Sequence, residues 1–375
     1  MSSSGTNGPV QPAPDRREIA LRPGYHSPQV EVDVRLNTNE APEPPPAAFL
    51  EALALELRSL SLNRYPDREA TALRAALASH HGVDPAQVFC ANGSNEAIQC
   101  LLLAYGGPGH PAVVFEPTYA LHSHIARLTG TPLVAGQRDG AFAVDPAEVA
   151  RTVQAAARQH GQASPAVTFL CSPNNPTGGV ETATSVRSVL ALVPGILVVD
   201  EAYGQFAPWS ALDLLGSEPR LVVVRTFSKT WAMAGLRLGY AIADPGVVAC
   251  LSNVALPYHL DALKQIAGRL AIGFDQEMRD RVAAIVEERG RVAEALAGLS
   301  VEVWPSSANF ILFRVSPRVG SQVWMGLLDR SVLIRDVSDW PGLDGCLRVT
   351  IGTPSENDRF LAALGEVLSE PSASS

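Results

Sequence analysis

The stretch VVVRTFSKTWAMAGLRLGYAIA (222–243) decides the fold. Two apolar runs, the first rich in valine, enclose a polar hinge that carries Ser228, Lys229 and Arg237. Runs of this length between turn residues read as buried strands. Lys229 is also one of only two lysines, with Lys264, in a chain of 29 Lys and Arg residues. Arginine supplies nearly every cation here, so a lysine in the hinge asks for a chemical reason. Arginine stays protonated near neutral pH, whereas a neutral lysine amine can attack a carbonyl and form an imine.

Working outward, AVVFEP (112–117), AVTFLCSP (166–173), GILVVDEAY (195–203), RLVVVRTF (220–227) and LGYAIA (238–243) alternate with Ala/Leu-rich helical stretches. That alternation predicts an α/β fold, a large domain with a mostly parallel central sheet flanked by helices. After Leu260 the pattern changes. Long helical segments over 260–299 precede strand candidates at 301–305, 308–315 and 346–353 and a final helix over 357–368, which predicts a smaller α+β domain. The expected division is a disordered tail at 1–17, an N-terminal segment at 18–44 packing with the small domain and active site, a large domain at 45–262 and a small domain at 263–370. EAPEPPP (40–46) leads into a helix over 46–60.

With 46% hydrophobic residues the chain has ample material for a core, and its net charge of −9 is interspersed, which argues against nucleic acid or an anionic membrane as partner. Small molecules are the expected ligands. No apolar run is long enough to span a bilayer, and the first residues lack a signal peptide's apolar core. Five scattered cysteines form no CxxC pair, so neither a disulfide framework nor a zinc site is expected. These features point to the cytoplasm.

In open parallel sheets ligands gather beyond the carboxyl ends of the strands, where Asn175, Asp200, Ser228 and Lys229 would meet. A hydroxyl and a guanidinium beside a reactive amine suit a phosphorylated aldehyde, which describes pyridoxal 5'-phosphate. Asp200, closing an apolar strand, either caps a turn or holds a proton on a pyridine nitrogen. Asn175 in SPNNPTGG (172–179) either only shapes a turn or bonds a ring hydroxyl. Gly93, Ser94 and Asn95 open the helix GSNEAIQCLLLAY (93–105), whose start is either an ordinary cap or a phosphate site. Tyr119 is core or lies on a ring face. Arg335 and Arg348, in VLIRDVSDWPGLDGCLRVTIGT (332–353), form surface ion pairs or bind a carboxylate or phosphate. His122 and His124 lack zinc-enzyme spacing and read as a helix surface or core edge. Lys264 reads as a solvated mid-helix residue.

Taken in order, SPNNPTGG, VVDEAY and TFSKTWAMAGLRLGY resemble the fold-type I pyridoxal-phosphate aminotransferases of classes I and II. RLNTNEAP, RYPD, GSNEAI, PTYALH, LPYHL, ANFIL and GCLRVTIGT are similar to the histidinol-phosphate aminotransferases within that group. The resemblance implies that Lys229 carries the cofactor and shuttles a proton, that Asp200 pairs with the ring nitrogen, and that Asn175 and Tyr203 bond the ring hydroxyl. Ser94, Asn95, Ser228 and Arg237 would hold the phosphate, and Tyr119 would stack on the ring. It implies a homodimer in which Tyr65 reaches the neighbouring subunit's cofactor phosphate. Arg348 would receive the glutamate α-carboxylate, with Arg335 and Tyr25 completing the anion pocket and the Asn39 segment and Tyr258 lining the substrate side.

The implied reaction moves an amino group from glutamate, leaving 2-oxoglutarate, to imidazole acetol phosphate, giving histidinol phosphate. An aromatic amino-acid aminotransferase, an amino-acid-phosphate decarboxylase and a non-catalytic regulator that binds the same cofactor are the competing expectations.

Overall fold

The computed structural model describes residues 28–316 and 318–370; the expected tail at 1–17 and Tyr25 lie outside the described residues. In chain order the strands are β1 (Val34–Arg35), β2 (Val88–Ala91), β3 (Ala112–Glu116), β4 (Leu133–Gln137), β5 (Val167–Cys171), β6 (Ile196–Asp200), β7 (Leu221–Thr226), β8 (Gly239–Ala243), β9 (Val301–Val303), β10 (Phe310–Val315), β11 (Val332–Leu333), β12 (Arg335–Asp336) and β13 (Cys346–Thr350). β2 to β8 form a seven-stranded sheet in the order β2-β8-β7-β6-β5-β3-β4. β8 is antiparallel to both its neighbours, and the other strand pairs are parallel.

Continuous apolar runs are what such a sheet requires, because helices cover both faces. On β6, Leu197 and Val199 join the core on one face while Ile196 and Val198 join the core on the other. The end of β2, the ends of β5, β6 and β7 and the start of β8 therefore arrive at one edge. Gly239 opens β8 there, and a Cβ on it would lie 2.3 Å from the Ser94 backbone nitrogen. Only glycine lets the helix Ser94–Tyr105 start so close to the sheet. β2 and β4 lack the long β-branched runs that mark their neighbours, and the sequence pattern does not single them out.

A second sheet, β12-β13-β10-β9, is antiparallel throughout and has its own core, including Phe310, Phe313, Leu347 and Phe360. β1 pairs in parallel with β11, which attaches the N-terminal segment to this smaller body. The packing differs from the expected division at 263. Helix Ala262–Ile272 buries Ala267 and Ala271 in the large-sheet core, and Gly268 is so close that a Cβ would meet Leu238 at 2.5 Å. The following helix, Asp275–Ala297, places Met278 in that core but Ile285, Val292 and Leu296 in the small one. Small residues conceal the first helix's buried face, so the change of core falls within the second.

Lys264 also differs from expectation. It lies in the first turn of its helix, its N–H bonded to the capping Asp261 and its Nζ 2.6 Å from that carboxylate. No helix among the described residues is long and apolar enough to cross a membrane.

Candidate active site

A cavity of about 430 Å³ opens at the sheet edge, lined by Thr38, Asn39, Glu40, Ser94, Asn95, Tyr119, Asn175, Asp200, Tyr203, Ser228, Lys229, Arg237 and Arg348, among others. Lys229 leaves the end of β7 and its Nζ donates to the Thr38 carbonyl at 3.1 Å. Burial, with Arg348 and Arg237 adding to it and Glu40 opposing, pulls the amine down to about 7. A large fraction of the neutral base is therefore present near physiological pH.

Asp200 is buried at the end of β6. Its Oδ1 accepts from the Ala202 N–H at 3.1 Å and its Oδ2 lies 3.0 Å from His122 Nε2. A carboxylate can only accept, so His122 carries its proton on Nε2. His122 has no exposed surface, and its ring stacks on Phe169 at 4.6 Å. The sequence reading of a helix surface or core edge is corrected: this histidine orients the acid at the centre of the cavity. A signal existed, because a helix opening beyond a parallel strand turns its first inward residues toward the strand ends.

At the other end, Arg237 Nη1 donates to Ser228 Oγ at 3.2 Å, and Thr226 Oγ1 donates to the same oxygen at 2.9 Å. No carboxylate pairs with Arg237 among the described residues. Gly93 has φ 78°, and a Cβ on it would lie 2.9 Å from Arg237 Nη2. A guanidinium, a hydroxyl and the N–H groups of a helix start converge there, which suits an anion. Tyr119 lines the cavity with its hydroxyl 3.3 Å from Asn95 Oδ1.

The two adjacent asparagines of SPNNPTGG divide their work. Asn174 bonds the Pro117 carbonyl, Thr177 and Thr118, which ties its loop to the end of β3. Asn175 faces the cavity, and its Oδ1 accepts from Arg348 Nη1 at 2.5 Å. That leaves the amide's N–H groups to point elsewhere. Arg348 is 4% exposed and also donates to the Asn37 carbonyl at 2.8 Å. Tyr203 is buried; its hydroxyl accepts from Asn39 Nδ2 at 2.8 Å, and burial holds its pKa above the usual phenol range, so it remains a donor.

Arg335, Tyr65 and Tyr258 are not among the residues lining this cavity. Arg335 sits opposite Arg348 in the β12–β13 register. Tyr65 is 80% exposed and stacks on Tyr258 at 4.5 Å. The lining also includes Thr38, Glu40, Cys171 and Thr226, residues of recognisable stretches to which the sequence reading assigns no role of their own.

The donor set fits pyridoxal 5'-phosphate: an anion cradle at Arg237, a buried acid at Asp200 and an amine at Lys229 face one space. A Cβ at Gly93 would crowd the guanidinium of that cradle.

Residues 31–364 match the family of class I and II aminotransferases. A histidinol-phosphate aminotransferase of Frankia casuarinae is 47% identical over 92% of this chain and 87% of its own length. That of Thermobifida fusca is 45% identical over 97% of this chain and 98% of its own. Among solved structures, the histidinol-phosphate aminotransferase of Sinorhizobium meliloti in complex with pyridoxal 5'-phosphate is 24% identical with a TM-score of 0.80, covering 90% of this chain and 91% of that one. The L-threonine-O-3-phosphate decarboxylase of Porphyromonas gingivalis is 23% identical with a TM-score of 0.77, covering 90% and 100%. Fold alone therefore does not separate transfer from decarboxylation.

Proposed function

The chain belongs to the class I and II aminotransferases, and from that premise we propose that it moves an amino group between glutamate and imidazole acetol phosphate, yielding 2-oxoglutarate and histidinol phosphate in histidine biosynthesis. Identity above 40% with histidinol-phosphate aminotransferases, spread over nearly the whole chain, is the observation that carries the substrate assignment.

When bound, pyridoxal 5'-phosphate would supply an electron-accepting ring. Lys229 would be the amine that tethers it. Asp200, oriented by His122, would keep a proton on the ring nitrogen. Asn175 and Tyr203 would donate to the ring oxygen, Tyr119 would cover the ring face, and Ser94, Asn95, Ser228 and Arg237 would hold the phosphate. Arg348 receives the substrate carboxylate, with planar geometry suited to two parallel hydrogen bonds. Lys229 Nζ, its pKa drawn down to about 7 so that much of it is neutral near that pH, takes the Cα proton of glutamate and later releases it. Arg335 would complete the anion pocket, and Tyr258 would line the substrate side.

The protein acts as a cytoplasmic homodimer in which Tyr65 serves the neighbouring site. Supporting this reading, Leu62, Tyr65 and Leu256 expose 89%, 80% and 76% of their surface, an apolar group that a second copy would cover. Co-expressed Tyr65→Ala and Lys229→Ala chains should regain activity in the hybrid dimer, which assembles one intact site; no recovery would defeat the crossing.

Steady-state rates with glutamate as donor test the substrate. A kcat/KM for imidazole acetol phosphate at least about tenfold above that for phenylpyruvate is expected, the scale on which a pocket separates related substrates. The reverse order would assign an aromatic aminotransferase, and release of carbon dioxide from an amino-acid phosphate would assign a decarboxylase.

A further inference from the structure

Four successive carbonyls in the N-terminal segment each accept a side-chain hydrogen bond. Asn37 accepts from Arg348 at 2.8 Å, Thr38 from Lys229 at 3.1 Å, and Asn39 and Glu40 from Asn309 Nδ2 at 3.2 and 3.3 Å. Asn39 adopts φ 54°, and Thr350 Oγ1 lies 3.0 Å from both its backbone nitrogen and its Oδ1. The segment is bolted at every residue, so the Thr38 carbonyl is an acceptor fixed in advance.

Glu40 extends this arrangement into the cavity. Its Oε2 accepts from Thr38 Oγ1 at 2.8 Å and from Arg35 Nη2 at 3.2 Å. Other charged and titratable groups share the cavity with the Lys229 amine. Arg348 and Arg237 disfavour a proton on it, Asp200 is engaged by His122 and the Ala202 N–H, and Cys171 and Tyr203 are held protonated by burial. Glu40 acts in the opposite sense to the arginines and favours the ammonium.

We propose that the Thr38 carbonyl and the Glu40 carboxylate form the seat of the Lys229 ammonium whenever the released amine carries a proton, which makes Glu40 a positioning residue for proton transfer. An ammonium has three donors and, in a cavity with two guanidinium groups, needs both an acceptor and a counter-charge. The backbone carbonyl supplies the first and Glu40 the second. The inference rests on Lys229 as the proton carrier, and its test is independent of turnover.

Because the chain holds only two lysines, the cofactor-free protein labelled with 13C at lysine Cε gives two signals, with Lys264 as internal reference. In Glu40→Gln the Lys229 midpoint should fall by roughly half a pH unit, the size expected from losing one solvent-screened charge nearby, while Lys264 stays in place. Glu40→Asp should recover part of the shift, and the acidic limb of kcat should move in the same direction. Thr38→Val, which frees the carboxylate from its hydroxyl anchor, should give a smaller fall and keeps the test available if Glu40→Gln folds poorly. An unchanged Lys229 midpoint in these variants overturns the seat. A shifted midpoint in a protein without transaminase activity leaves the seat standing and removes the functional reading instead.

Discussion

The floor of the cavity and its wall are built by opposite rules. The floor is a set of strand ends: Cys171 closes β5 and Asn175 follows it, Asp200 closes β6, and Ser228 and Lys229 follow β7, each delivered by a short continuous motif. The wall joins distant stretches, with Asn39 held to Thr350 and Asn309, and Asn37 held to Arg348, across some 270 to 311 residues. The floor thus places charge with respect to the sheet, while the wall places it with respect to the small body. Damage to the floor should therefore appear in the chemical step, and damage to the wall in substrate binding and proton handling.

The largest expected effect is on the floor. Lys229→Arg keeps a cation but lacks a neutral amine, so kcat should fall by at least about a thousandfold, the upper range for a positioned general base with loss of covalent tethering added. Next, Asp200→Asn retains shape and loses the charge, and kcat should fall by roughly a hundredfold with KM for glutamate little changed. On the wall, Arg348→Lys should raise KM for glutamate, lowering kcat/KM by roughly ten- to a hundredfold, because one point charge replaces a bidentate fork. If Arg348→Lys reduced kcat alone, the separation of wall from floor would break. His122→Phe, which removes the orienting partner of Asp200 but keeps ring packing on Phe169, should cost about tenfold in kcat.

A further effect, read in stability rather than in rate, concerns the cofactor-free protein. The folded amine titrates near 7 and the unfolded one near 10.5. Between these values the unfolded chain binds a proton that the folded chain does not, so the Lys229 contribution to stability is intact above the upper value and lost as pH falls toward the lower. Lys229→Met removes that dependence. Thermal melts should show the variant ahead of the wild type near pH 7, with the gap closing as pH rises toward 10; a gap independent of pH would mean that Lys229 titrates normally in the fold.

This contrast also explains what the sequence discloses. Strand-end motifs are local, so the large sheet, its mostly parallel order and the cavity-facing positions of Asn175, Asp200, Ser228 and Lys229 follow from runs a few residues long. His122 escapes such reading because its role depends on Asp200, 78 residues away and in the adjoining part of the sheet edge. Thr38, Glu40 and Asn309 escape it too: RLNTNEAP and ANFIL mark their segments only by resemblance, and nothing local shows that the first segment's carbonyls are claimed by residues hundreds of positions later. The boundary inside helix Asp275–Ala297 is concealed for another reason: one continuous helix serves two cores, and its periodicity does not change where the core does.

Borohydride reduction of the purified protein loaded with pyridoxal 5'-phosphate, followed by peptide mass analysis, tests most directly the claim that one of two lysines was placed for chemistry. The account predicts a reduced cofactor adduct on the peptide containing Lys229 and an unmodified Lys264. An adduct on Lys264, or on neither lysine, would contradict it.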